Sequence, residues 1–210
     1  MANKSIDPEN LMLALTFDDG PSEHTDRILD ALEKHNACAT FFVRGDFLAE
    51  HPQIVQRAEK LGNEIGGHTW NHPDLTQLTE EEVRKEIGDT QKKLIEVLGH
   101  PPVIFRPPFG ELNGITKKVC REMGLALINW SLDTWDWQTL NTDAIYNEAM
   151  DAIEDRDIVL FHDQYDTTAE AVERLLPKLV EKGYQMVTVS ELFRYCGKQM
   201  KAGQVYDDTY

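Results

Sequence analysis

The sequence predicts an α/β fold of (β/α)-barrel type, with about seven parallel strands and the helices outside. Three observations carry this. Short apolar runs of strand type alternate with amphipathic helical stretches along the whole chain. Every cluster of polar and special residues comes directly after a strand, and in a barrel those positions converge on one rim, where active sites are built. No glycine-rich phosphate loop of the kind carried by open, doubly wound sheets is present.

The elements follow in order. Residues 11–15 are apolar and run through Thr16 and Phe17 into Asp18, Asp19 and the stop Gly20-Pro21. Neighbouring side chains on an extended chain face opposite sides, so the two aspartates can do different work. Residues 23–35 have helical spacing, with Ile28, Leu29 and Leu32 on one face. A second strand spans 38–43. A loop and helix span 45–61, with Pro52 at a helix start. Residues 64–67 form a short third strand that leads into His68-Thr69-Trp70-Asn71-His72-Pro73. Thr79 and Glu82 make a capping box for a helix that reaches Leu98.

A fourth strand, 103–105, ends in Arg106-Pro107-Pro108-Phe109-Gly110, and a helix runs on to Met123. A fifth, 125–130, leads to Asp133-Thr134-Trp135-Asp136-Trp137. After a helix over 143–153, a sixth strand, 158–161, ends in His162-Asp163. Helix 168–182 and strand 184–189 complete the alternation. Ser190 is the expected cap of a last short helix, and the polar tail 198–210 is expected to fray. No internal repeat and no long linker divides the chain, so one domain over 1–210 is expected.

Lys and Arg number 21 against 37 Asp and Glu, a net charge of −16, which argues against nucleic acid and anionic membranes as partners. No run approaches the roughly 18 apolar residues of a membrane helix. Residues 1–8 hold no apolar stretch of secretory type, so the chain is either cytoplasmic or separated from its export segment. Cys38, Cys120 and Cys196 are far apart without a C-x-x-C pair, and a thiolate metal site is not expected.

Several strand-end clusters read as chemistry. His68 and His72, spaced i, i+4, can face one point from a helical turn or a tight loop. With Asp19 they form a His, His, Asp set suited to a zinc-like divalent ion with one position left open. The plainer reading is a helix start with one buried and one exposed histidine. Asp18 could take a proton from activated water, and His162 could protonate a leaving group. Asp136 could fix the tautomer of His162 and raise its pKa. Alternatively, Asp133 and Asp136 form turns and His162 bonds locally in its loop.

Arg106 could orient Asp18. Pro107 and Pro108 lack N–H groups, so the Phe109 N–H is the first free donor for an oxyanion. Trp70, Trp135, Trp137 and Phe109 are either core residues or a wall for a sugar.

The set TFDDGP, HTWNHP, RPPFG, DTWDW and LFHD closely resembles, in this order, the five motifs of polysaccharide deacetylases, the NodB-like carbohydrate esterases of family four. The match runs from Thr16 to Asp163. The resemblance implies a distorted (β/α) barrel, with Asp18 as catalytic base, Asp19, His68 and His72 as metal ligands, and Arg106 orienting the base. It also implies that Asp136 pairs with the catalytic His162, that Trp137 walls a groove, and that Leu160 lines the acetyl pocket. Phe109 stands where many members have Tyr, which keeps the backbone donor and removes a hydroxyl.

The expected function is metal-dependent removal of N-acetyl groups from N-acetylglucosamine residues of a polysaccharide, peptidoglycan first. Zinc is the expected ion, with cobalt, manganese or nickel as alternatives. The partner would be the acetylated glycan, met by a monomer outside the cell or in its envelope. The competing readings are an acetylxylan esterase, a chitin deacetylase, a barrel glycosidase with two carboxylates and an inactive glycan-binding module.

Overall fold

The computed structural model describes residues 6–209. Residues 1–5 of the N-terminal stretch 1–8, which bears on a secretory segment, lie outside the described residues, as does Tyr210 of the tail. The strands are β1 (Met12–Asp18), β2 (Thr40–Val43), β3 (Glu64–Gly67), β4 (Ile104–Phe105), β5 (Ala126–Ile128), β6 (Leu132–Asp133), β7 (Ile158–His162), β8 (Gln185–Met186) and β9 (Val205–Tyr206). They run in the order β6-β7-β1-β2-β3-β4-β5-β9, with β8 beside the start of β1. Every pairing is parallel. The seven expected strands are present, and β6 and β9 are additional two-residue strands at the two ends of the path. β6 and β9 do not pair with each other, so the sheet is a distorted, incompletely closed barrel.

The helices are α1 (Thr25–Lys34), α2 (Gly45–Glu50), α3 (Pro52–Lys60), α4 (Glu80–Leu98), α5 (Gly114–Glu122), α6 (Asp136–Thr139), α7 (Thr142–Ala152), α8 (Asp166–Glu181) and α9 (Val189–Tyr195). Thr79 and Glu82 close the capping box of α4 as expected. Helix α9 begins elsewhere than expected. Thr188, not Ser190, is its cap and forms a capping box with Glu191, because the Ser190 hydroxyl and N–H are both taken by Glu64.

Alternation along β1 sets up the interior. Leu13, Leu15 and Phe17 pack outward against the helices, while Met12 and Ala14 join a separate cluster with Phe42, Ile104 and Ile128. Thr16 and Asp18 share the phase of Met12 and Ala14, which delivers a carboxylate to the inside at the strand end.

Among the described residues of the tail, 204–206 pair with β5. The Leu127 N–H donates to the Gln204 carbonyl at 2.9 Å, the Asn129 N–H to Tyr206 at 2.8 Å, and the Tyr206 ring packs on Phe193. Polarity hid this, because β9 is held by backbone bonds and by Val205 and Tyr206, which pack on separate apolar clusters. No helix among the described residues is long and apolar enough to cross a membrane.

Candidate active site

Strand register assembles the site. The β1–β7 pairing sets Asp18 opposite His162. The β2–β3–β4 neighbours place His68 just past β3 and Arg106 just past β4, and the Arg106 N–H donates to the Gly67 carbonyl at 3.0 Å. Residues 68–73 form a loop, not a helical turn, with Thr69 at φ 63 and His72 at φ 64. Asp19 and Phe109 also adopt left-handed backbone, at φ 70 and φ 62. Non-glycine residues rarely adopt that region, at a cost of about 1–3 kcal/mol each, so the surrounding structure must hold these turns.

Arg106 is fully buried and almost fully bonded. Its guanidinium donates to Asp18 Oδ1 at 2.7 Å, the Thr16 hydroxyl at 2.8 Å, the Ile128 carbonyl at 3.0 Å and the Asn129 carbonyl at 2.6 Å. It also lies over the Phe42 ring at 4.2 Å. Asp18 Oδ1 is therefore fixed, and Oδ2 lies 3.7 Å from His68 Nε2. Burial pushes the Asp18 carboxyl above its ordinary range, and the Arg106 charge opposes that.

The His68 Nδ1 hydrogen donates to the Arg106 carbonyl at 2.7 Å, so Nε2 keeps its lone pair toward the cavity. Burial pushes the pKa of His68 down to about 3, against the pull of Asp19, which leaves it neutral as a ligand must be. Asp19 Oδ1 lies 3.6 Å from His68 Nε2 and 3.4 Å from His72 Nε2, and it is buried without a hydrogen-bond partner. One donor atom from each of these three residues fits within 4.8 Å of the others. A neutral imidazole, an orphaned carboxylate oxygen and a second imidazole facing one point fit a divalent cation.

Across the cavity, the His162 Nδ1 hydrogen donates to Asp136 Oδ1 at 2.8 Å, which turns Nε2 outward. Asp136 is fully buried and also accepts the His162 N–H at 2.6 Å, the Thr168 hydroxyl at 2.8 Å and the Trp137 N–H at 2.8 Å. Burial alone would lower the pKa of His162. The hydrogen bond and charge of Asp136 outweigh it and, with Asp18 and Asp19, raise the value to about 9.

A cavity of about 450 Å³ joins these groups. Asp18, Asp19, His68, His72, Phe109, Trp137, Leu160 and His162 line it, as do Trp130, Asp133 and Tyr165. Arg106 and Asp136 sit behind Asp18 and His162. The Phe109 ring stands edge-on to His72 at 4.6 Å. Trp135 stays exposed with its ring 5.8 Å from Trp137. Trp70 is not part of this wall. Its ring lies over Gly45, and its backbone N–H donates to the Glu86 carboxylate at 2.9 Å. Tyr165 and Trp130 were not singled out in the sequence, because their approach depends on register and loop course.

Fold and site define a class: a parallel-stranded (β/α) barrel with a carboxylate–histidine centre on its strand-end rim. The chain belongs to the polysaccharide deacetylase family, whose model matches residues 5–128. Peptidoglycan-N-acetylglucosamine deacetylase PgdA of Listeria monocytogenes is 40% identical over 200 residues, 95% of this chain and 42% of the relative. The chain thus spans about two fifths of that relative's length. The structure of peptidoglycan deacetylase PdaC from Bacillus subtilis superimposes with a TM-score of 0.87 at 39% identity, covering 90% of this chain and 93% of that one. A family 4 acetyl xylan esterase from Clostridium thermocellum, in complex with a cobalt ion, gives a TM-score of 0.86 at 31% identity, covering 94% and 98%.

Proposed function

We propose that the chain hydrolyses N-acetyl groups from N-acetylglucosamine residues of peptidoglycan, with Asp19, His68 and His72 holding a divalent ion. The observation that carries this reading is the meeting of these residues with Asp18 and His162 around one cavity of about 450 Å³. The donor set favours zinc, with cobalt, manganese or nickel as alternatives. The bound ion would act as a Lewis acid toward the acetyl carbonyl and toward water.

The protein's own residues then divide the remaining work. Asp18 Oδ2 takes a proton from the attacking water while Arg106 holds Oδ1. The Phe109 N–H donates to the carbonyl oxygen as it gains charge. His162 Nε2 gives its proton to the departing nitrogen, and Asp136 holds the tautomer that makes this possible. The C–N bond breaks to give acetate and a free amino sugar. Leu160 faces the acetyl methyl, and Trp137 and Phe109 offer apolar surface to sugar rings.

An amide nitrogen leaves badly unless protonated, and a half-buried histidine whose pKa is raised by its bond to Asp136 supports N-acetyl over O-acetyl substrates. The names of the bacterial relatives support peptidoglycan and a place in the cell envelope or outside the cell. The reading includes action as a monomer on the polymer. Acetylxylan is the second reading, because an acetyl xylan esterase shares the fold. The presence of Asp18 and His162 weighs against an inactive binding module, which needs neither.

Mass spectrometry of cell-wall digests, chitin oligomers and acetylxylan after incubation with the protein tests the assignment. Loss of acetyl mass from glucosamine residues is the expected result. Acetate from acetylxylan alone would overturn the choice of substrate.

A further inference from the structure

Just past the end of β7, Gln164 touches two parts of the site at once. The β1–β7 register sets Asp18 opposite His162, and the Asp163 N–H donates to the Asp18 carbonyl at 3.2 Å. Residue 164 is thereby brought against Asp19. The Gln164 side-chain amide donates to Asp19 Oδ2 at 3.1 Å and to the Tyr165 hydroxyl oxygen at 3.2 Å. Asp19 Oδ1, the other carboxylate oxygen, is buried, has no partner and faces both His68 and His72.

We infer that Gln164 is a positioning residue that couples the metal-binding carboxylate to the substrate wall; this rests on the function proposed above. Its amide occupies Oδ2 and leaves Oδ1 as the single free donor, which selects one-oxygen coordination by Asp19. Such a partner also stops the carboxylate from rotating, and loss of an outer partner of a metal ligand typically costs about 10–100-fold in metal affinity. The second amide hydrogen goes to Tyr165 Oη as an acceptor. The Tyr165 O–H proton is then free for an acceptor on the substrate, on a wall that also carries His162. Phe109 has no hydroxyl, so Tyr165 supplies a phenol donor that the RPPFG loop lacks.

Zinc competition against a chromogenic chelator, with thermal melting of the same samples, tests this. Gln164→Leu should keep the melting temperature and lose about 10–100-fold in zinc affinity. If Gln164→Leu folds poorly, Gln164→Ser, too short to reach either oxygen, carries the same expectation. Tyr165→Phe should bind zinc as the wild type does and raise KM on chitin oligomers about 2–10-fold, the range for loss of one neutral hydrogen bond. A folded Gln164 variant with wild-type zinc affinity overturns the positioning role while the proposed function stands. A Tyr165→Phe chain with unchanged KM overturns the substrate contact. A wild-type chain that holds no zinc, cobalt, manganese or nickel overturns the parent reading and this one with it.

Discussion

The two ends of the barrel hold their inward-facing carboxylates in opposite ways. At the end where strands begin, Glu64 accepts from the Thr40 hydroxyl at 3.2 Å, from the Ser190 N–H at 2.9 Å and from the Ser190 hydroxyl. Burial raises its pKa, and these neutral donors only moderate the rise. At the end where strands finish, Asp18 and Asp136 face an arginine and a histidine, and Asp19 keeps an oxygen without a partner. The larger hollow, about 690 Å³ between Val103, Phe193 and Arg194, is at the first end; the proposed chemistry lies in the smaller one, about 450 Å³. A satisfied buried carboxylate ties elements together. One left with a titratable neighbour or an orphaned oxygen is available for reaction, and volume does not separate the two cases.

Substitutions at the two ends should therefore differ in kind. The largest effect is expected at the proposed ligands. His72→Ala should lose both metal, read by elemental analysis, and acetate release. Full activity in a metal-free variant would break the contrast.

Next comes Asp18→Asn, which should keep its metal and lose about 10²–10⁴-fold in rate, the usual contribution of a general base. Metal loss equal to that of Asp19→Ala would mean that the roles of the two aspartates are exchanged.

A third test uses pH. His162 must be protonated to act as an acid, and its pKa is raised to about 9, so activity should persist at neutral pH and fall as pH rises through that value. In Asp136→Asn the falling limb should move toward the ordinary histidine value of about 6.5. An unmoved limb would assign it to another group. His162→Ala should harm amide cleavage far more than cleavage of an activated aryl acetate, which leaves without a proton.

At the opposite end, Glu64→Ala should cost about 1–3 kcal/mol of stability by leaving buried donors unpaired, measured by urea unfolding, with kcat/KM unchanged. The smallest effect belongs to Arg194→Ala on the larger hollow. Its stability change should stay within about 0.5 kcal/mol, as for most surface sites, and turnover should be unaltered. A loss of activity in either variant would erase the distinction between the ends.

How much of this was legible in the sequence follows from which interactions are local. Asp18, Asp19, His68, His72, Arg106, Asp136 and His162 each sit at or a few residues past a strand end, and those ends are marked by apolar runs that give way to polar residues, with Gly20-Pro21 and Pro107-Pro108 as added stops after β1 and β4. The Thr79 capping box is also local and was readable. What depends on pairing was not. Strand β9 is defined by backbone bonds to β5 from a polar tail. The start of α9 shifts to Thr188 because Glu64, distant in sequence, takes Ser190. Gln164 meets Asp19 only through the β1–β7 register. Trp70 shares a motif with His68 and His72 but turns onto Gly45, a direction that residue type alone does not set.

The most direct test of the central claim, that the strand-end rim houses a metal-dependent deacetylase centre, is acetate release from peptidoglycan before and after chelation. Release should stop when the metal is stripped and return when zinc is added back. Undiminished release from the stripped protein would contradict the account.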